Sequence, residues 1–388
     1  MEHRPTNMGR FKLIAVGALL TSGILVGSAV TSFAAPVSRV RAQLATAPTV
    51  STQHGTICLF WPNETTAGWP QYQIPKAIAA FKHYMPNMKQ LQYNGNSDAA
   101  TQLGQVQACI AQKATAAVIS PAVPEQAGAA LKALAAAHIP AVALDQDPDG
   151  GPVYSYVWVD FKDDGSYFGQ YMDAHLVANV GHKPVLVAEA LGDPTFAVYQ
   201  DWLAGIDPYL NAMIKDGTVK IVCKFNTTSW EPTVAQTNME QCLTKTGNDV
   251  DAVLAMNDSV SDGVAAALSA QNLLGKVKIY GGRDGDLETV QRILAGDQFA
   301  TFYSNAAAQG DDAVVFVEAA LAGKPATSTG LVDSYFQNGY VKGGVPTVRS
   351  PEILVTASNI QQTVIKDGLA TKAQICTSIA KDTAFCKS

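Results

Sequence analysis

The sequence predicts an α/β protein built from two doubly wound parallel-sheet lobes, with helices on both faces of each sheet. Two observations carry this. From Gly55 onward, short apolar runs alternate with amphipathic stretches of helical period, the pattern of βαβ units and parallel sheets. The chain has 388 residues, too many such units for a single sheet around one core.

The elements follow in order. "TICLFW" (56–61) reads as a buried strand, and "IPKAIAAFKHYM" (74–85) follows with helical spacing. "LQYNGN" (91–96) is a brief strand ended by Asn-Gly, and "ATQLGQVQACIAQ" (100–112) is helical again. "AAVISPA" (116–122), "EQAGAALKALAAAH" (125–138) and "IPAVALDQD" (139–147) complete a strand–helix–strand unit, opened by Pro140 and closed by Asp145. "YSYVWVDF" (154–161) is a strand, and residues 163–181 are a helix with Gly181 as its stop. "KPVLVAEAL" (183–191) and "VKIVCKF" (219–225) are strands around the mostly helical "TFAVYQDWLAGIDPYL" (195–210). Pro232 opens the helix that runs to Gly247, where its fixed φ suits the first turn. "DAVLAM", "KVKIYGG" and "FATFYS" are three further strands. The helices of residues 259–275 and 286–297 separate them, and the helix of residues 308–323 follows.

Arg4, Arg10 and Lys12 precede an apolar stretch from Leu13 to Ala35 that ends in small residues. This is the pattern of a secretory signal peptide over residues 1–34, with residues 35–54 as a linker. A retained membrane anchor is the alternative, because the run is long enough to span. No cysteine follows it to take a lipid. The whole chain carries a net charge of −6, which argues against nucleic acid as a partner. With 47% apolar and only 15% charged residues, the chain is a packed globule and not a disordered one.

Six cysteines behind an export signal read as disulfides. Cys376 and Cys386 lie close enough to staple the tail, and Cys223 and Cys242 join a strand to the following helix. Cys58 and Cys109 remain for each other, with a pair of buried free thiols as the alternative. None forms a CxxC or zinc spacing, and no metal or cofactor is expected.

In a parallel sheet, ligands bind beyond the carboxyl ends of the strands, where the next helix also brings free N–H groups. Asp145, Asn257, Asp258 and Asp284 all sit at such ends. Asp258 or Ser259 is expected to cap its helix, leaving Asn257 free to point outward to a ligand.

The stretch "AVLAMNDSVSDGVAAALSAQNLLGKVKIYGGRDGDLETVQRILAGDQFATFY" strongly resembles the periplasmic sugar-binding proteins of ABC transporters, in the xylose-binding branch of the ribose/galactose-binding type. "NGNSDAATQLGQVQACIAQKATAAVISPA", "VALDQD" and "TVIKDGLATKAQIC" fit the same family, so the resemblance spans nearly all of residues 55–375. It implies a type I periplasmic binding protein with three hinge crossings, near 158–161, 303–305 and 326–336. The N-terminal lobe would then comprise 55–158 and 304–326. The C-terminal lobe would comprise 159–303 and 327–388, including the tail. A ligand would sit between lobes that close on it, and a membrane permease would receive it from a monomeric carrier.

Position by position, the resemblance implies ligand contacts at Asp145, Trp230, Asn257 and Asp284. A carboxylate accepts two sugar hydroxyls through charge-assisted bonds. An amide supplies both donor and acceptor, and an indole gives a flat face for the C–H side of a pyranose. The departures are as telling. The loop after the first strand carries Glu64 and no cation before Lys76. Gln146 stands where the xylose binders have Arg, Phe161 where they have Asn, and Ser304 where they have Lys. Aromatic surface is gained at Trp61, Trp69 and Phe161, and Arg283 is a new cation. The expected ligand-binding set is therefore Trp61, Glu64, Asp145, Gln146, Phe161, Trp230, Asn257, Arg283 and Asp284. The expected ligand is a sugar or polyol other than xylose.

No GxSxG elbow, HExxH, Walker loop or GxGxxG after a strand is present, so an enzyme is disfavoured. A sensor presenting its ligand to a membrane receptor would have the same sequence features. "DQDPDGG" (145–151) resembles the start of a calcium loop, but Tyr156 occupies the twelfth place where a bidentate carboxylate is needed; it reads as a turn.

Overall fold

The computed structural model describes residues 48–65 and 68–388. The expected signal segment lies outside the described residues. Among those described, no helix is long and apolar enough to cross a membrane.

The first lobe starts with β1 (Gly55–Trp61), α1 (Ile74–Tyr84), β2 (Met88–Asn94), α2 (Ala99–Ala111) and β3 (Ala116–Ile119). It continues through α3 (Gly128–Ala136), β4 (Ala141–Asp145) and β5 (Ser155–Trp158). The second lobe runs through α4 (Phe161–Val180), β6 (Val185–Leu191), α5 (Ala197–Lys215), β7 (Val219–Asn226) and α6 (Pro232–Thr246). It goes on with β8 (Ala252–Ala255), α7 (Asp258–Ala270), β9 (Lys278–Gly281), α8 (Leu287–Ala295) and β10 (Thr301–Ser304). The chain then returns for α9 (Ala306–Leu321), β11 (Ser334–Phe336), β12 (Val345–Arg349) and β13 (Glu352–Val355).

The first sheet has seven strands in the order β11-β12-β5-β4-β3-β1-β2, with the pairs from β12 to β2 parallel and β11 antiparallel at the edge. The second has the parallel order β7-β6-β8-β9. Single bridges from Ile279 to Gln298 and from Arg283 to Phe302 carry it towards β10, which pairs antiparallel with β13. Helices cover both faces, so the strands read as unbroken apolar runs. Alternate residues of β1 serve different layers: Ile57, Leu59 and Trp61 face α1 and α9, while Cys58 and Phe60 face α2 and α3. Across the second lobe, α4 and α5 approach backbone to backbone at Gly165 and Gly205. A Cβ on Gly165 would lie 2.2 Å from the Trp202 carbonyl oxygen.

This topology corrects the C-terminal boundary. Residues 327–388 were expected wholly in the second lobe, yet β11 and β12 complete the first sheet, and Thr347–Arg349 pair with Tyr156–Trp158. The chain changes lobe at Ser350–Pro351, not near 326–336. The reason is burial: Val345, Thr347 and Val348 are fully covered when they close the open flank of β5. The three crossings then lie side by side, with the Ser350 amide donating to the Trp158 carbonyl (2.7 Å) and the Asn305 amide to the Pro351 carbonyl (3.3 Å). The tail beyond Val355 docks on the second lobe, where Ile360, Val364 and Ile375 pack with Val290, Ile293 and Tyr303.

Disulfides join Cys58 to Cys109, Cys223 to Cys242, and Cys376 to Cys386, which leaves no free cysteine among the described residues. Each of the first two ties a strand to a helix packed on it.

Candidate functional site

The carboxyl ends of both sheets face one cleft, half open to solvent, that the two lobes line together. The first lobe contributes Pro62, Asn63, Trp69, Gln73, Asp145 and Gln146 to its wall. The second contributes Phe161, Phe196, Val198, Trp230, Asn257, Arg283 and Asp284. The lobes touch beside it. Tyr72 meets Tyr303 edge-on with ring centroids 6.1 Å apart, and a Cβ on Gly68 would lie 3.1 Å from that of Asp284.

Asp145 ends β4 with φ at 66°, a left-handed conformation unusual outside glycine. The Tyr156 hydroxyl donates to its main-chain oxygen at 2.6 Å, and Gln73 Nε2 reaches its carboxylate at 3.4 Å. Asp284 (φ 110°) and Trp230 (φ 59°) are held in comparable conformations. Strained backbone of this kind persists only where surrounding contacts impose it, and it gathers at binding sites. For Trp230 the cause is visible: Asp193 accepts from the Ser229 amide at 2.7 Å. The ring lies against Gly192, where a Cβ would come within 1.9 Å of it, and Phe196 meets it edge-on at 6.0 Å.

The expected cap is corrected from Asp258 or Ser259 to Asn257, which also keeps its expected place on the cleft wall. Asn257 is the N-cap of α7, accepting from the Val260 amide at 3.0 Å, while its Nδ2 donates to Asp284 at 3.1 Å on the cleft wall. Asp258 is fully buried and props up the loop below the cleft. It accepts from the amides of Gly285 and Asp286 at 2.8 and 2.9 Å, and from the Thr301 hydroxyl. Spacing alone could not tell which of two adjacent cap-forming residues would bond back to the helix.

Arg283 is buried at the floor, next to the crossings. Its Nη1 donates to Asp164 of α4 and to Glu352 of β13 (2.8 Å), its Nη2 donates to Ser304 of β10 (2.6 Å), and its guanidinium lies 4.2 Å from the centre of the Phe161 ring. Burial is the leading cause of the raised carboxyl pKa values here, lifting Asp145 to about 6 and Asp284 to about 7. Arg283 opposes both shifts, and Asp145 adds to that of Asp284.

Seven of the nine expected residues line the cleft, and two do not. Trp61 is buried in the first lobe's core, because the alternation of β1 turns it towards α1 and α9. Glu64 is exposed to solvent and lies off the cleft wall. The indole that does line the first lobe's side is Trp69, eight residues beyond Trp61 and noted in the sequence only as added aromatic surface. Gln73, Phe196 and Val198 carried no signal of their own: Gln73 precedes the stretch that reads as helical, and Phe196 and Val198 lie on one that reads as ordinary helical sequence.

The fold and the cleft define a two-lobed binding protein. The chain belongs to the periplasmic binding protein domain family, whose model matches residues 57–325. It is 37% identical over 169 residues to the D-xylose-binding periplasmic protein of Haemophilus influenzae, covering 43% of this chain and 48% of that one; it thus spans about half the length of that relative. Over 344 residues, 85% of this chain and 93% of the other, it is 26% identical to the multiple sugar-binding periplasmic protein SbpA of Azospirillum brasilense. Among solved structures, an ABC transporter solute-binding protein from Clostridium phytofermentans with bound β-D-glucose superposes with a TM-score of 0.72 at 21% identity, covering 82% of this chain and 99% of that one. That last likeness is one of fold. The relatives are binding proteins and not enzymes.

Proposed function

We propose that this protein captures a monosaccharide or related polyol between its two lobes outside the cytoplasm and delivers it, as a monomer, to an ABC transporter permease. The observation that carries this is the make-up of the cleft. Aromatic faces at Trp69, Phe161, Phe196 and Trp230 alternate with the hydrogen-bonding groups of Asp145, Gln146, Asn257 and Asp284. Planar faces suit the C–H side of a sugar ring, and carboxylates paired with amides suit its hydroxyls. The polar groups come from both lobes, so the set is complete only when the lobes are together, as in hinge-bending capture. The sugar-binding names of the relatives support the same class of ligand.

A thermal-shift screen of pentoses, hexoses, polyols and sugar acids tests this, because a ligand that binds only the native state raises the melting temperature by mass action. At least one neutral or charged carbohydrate should raise it in a dose-dependent way. No shift across the whole set at millimolar concentration would count against the carbohydrate reading.

A further inference from the structure

Among the described residues, the cleft wall holds two carboxylates, Asp145 and Asp284, and one cation, Arg283. That cation is already matched behind the wall by two other carboxylates, Asp164 and Glu352, through Nη1, and its Nη2 donates to Ser304. Arg349, at the third crossing, lies 3.4 Å from Asp160 and over the Trp158 ring. Lys76 is turned onto Tyr72, and among the described residues no lysine lines the cleft. Asp145 and Asp284 therefore share Arg283 with Asp164 and Glu352, four carboxylates to one guanidinium, and the groups that bond to them directly are neutral amides, Gln73 at 3.4 Å and Asn257 at 3.1 Å. Two carboxylates in a buried, weakly screened space repel each other, and one shared guanidinium compensates them only in part unless something positive arrives. Around them stand the ring faces of Trp69, Phe196 and Trp230, which attract cations as well as C–H groups.

We infer that the ligand carries an ammonium group: the cleft takes an amino sugar or amino polyol, with the ammonium between Asp145 and Asp284 and the hydroxyls on Asn257, Gln146 and Gln73. This inference rests on the carbohydrate reading above and narrows it. A neutral sugar can bond both carboxylates through its hydroxyls but leaves their negative charge in excess, whereas an ammonium donates to both and also supplies the counter-charge.

Titration calorimetry on the signal-free protein at pH 7 tests it with matched pairs: glucosamine with glucose, galactosamine with galactose, and mannosamine with mannose. The N-acetyl derivatives serve as uncharged controls. In at least one pair the amine should bind about tenfold tighter than its parent, the usual gain when a hydrogen bond becomes charge-assisted on both sides. Acetylation should abolish that gain. Asp145→Asn and Asp284→Asn should each reduce the amine-to-parent ratio more than they reduce affinity for the parent. Neutral parents binding as tightly as the amines in every pair would overturn the inference and leave the carbohydrate reading standing. Failure of every sugar, charged or not, would overturn both. The wild-type pairs decide the matter even if a variant does not fold.

Discussion

Replacing Arg283 by Met removes a cation that ties α4, β10 and β13 together. Arg283 is 5% exposed, Asp164 is 1% exposed, and the Glu352 side chain is 13% exposed. Deleting one partner of a buried ion pair leaves the other charge desolvated and typically costs about 3–5 kcal/mol. The loss is concentrated where α4, β10 and β13 meet, so the second lobe should bear it. For a lobe of ordinary domain size that corresponds to a melting temperature lower by roughly 6–20 °C. The cost should depend on pH in a definite direction. Burial already raises the Asp164 carboxyl well above the ordinary value, and Arg283 is the group that opposes the rise. Without it Asp164 holds its proton to still higher pH in the fold. A folded-state pKa above the unfolded one gives stability that is present in acid and lost as pH rises. Arg283→Met should therefore lose little near pH 4 and most at pH 8, and adding Asp164→Asn should restore part of the loss at pH 8. Calorimetric melting from pH 4 to 8 measures this directly. A destabilisation independent of pH, or a variant as stable as wild type at pH 8, would refute the reasoning.

Other outcomes follow from the same structure. Asp284→Ala should weaken ligand binding roughly 10- to 150-fold, the value of a hydrogen bond to a charged group, with the fold intact by circular dichroism because Asp284 lies in a loop; calorimetric titration checks it. Denatured, unreduced protein should show no titratable thiol among Cys58, Cys109, Cys223, Cys242, Cys376 and Cys386. Replacing Cys58 and Cys109 together by Ala should cost about 4 kcal/mol from the loop of 51 residues they close, measurable by urea unfolding. Gly192→Ala should push the Trp230 ring off its seat and reduce ligand affinity about tenfold or more, the worth of a well-packed aromatic contact, with little change in the circular dichroism spectrum.

The two-lobed α/β plan was legible because strand–helix alternation and buried parallel strands leave a strong periodic mark. The stretch from Ser334 to Val355 left none: β11 has three residues, β13 has four, and glycines interrupt the segment before β12. Their strand character comes from partners far away in sequence, Tyr156–Trp158 for β12 and Thr301–Ser304 for β13. In the site, residues at strand ends were found because the sheet geometry places any such residue at the cleft. Trp61 misled because a residue at a strand end can still turn inward by the two-residue alternation. Arg283 was expected as a ligand contact. The structure gives it a first duty as the strut between lobes' hinge elements, through Asp164 and Glu352, which are 119 and 69 positions away. No local pattern encodes such a pairing.

The most direct test of the account is a crystal structure of the protein grown with the carbohydrate that gives the largest thermal shift. The account predicts a single sugar-sized ligand in the cleft between the lobes, with a ring face on Trp69 or Trp230. Polar contacts should come from Asp145 on one side and from Asn257 and Asp284 on the other. Ligand bound elsewhere on the molecule, or an empty cleft at saturating concentration, would contradict it.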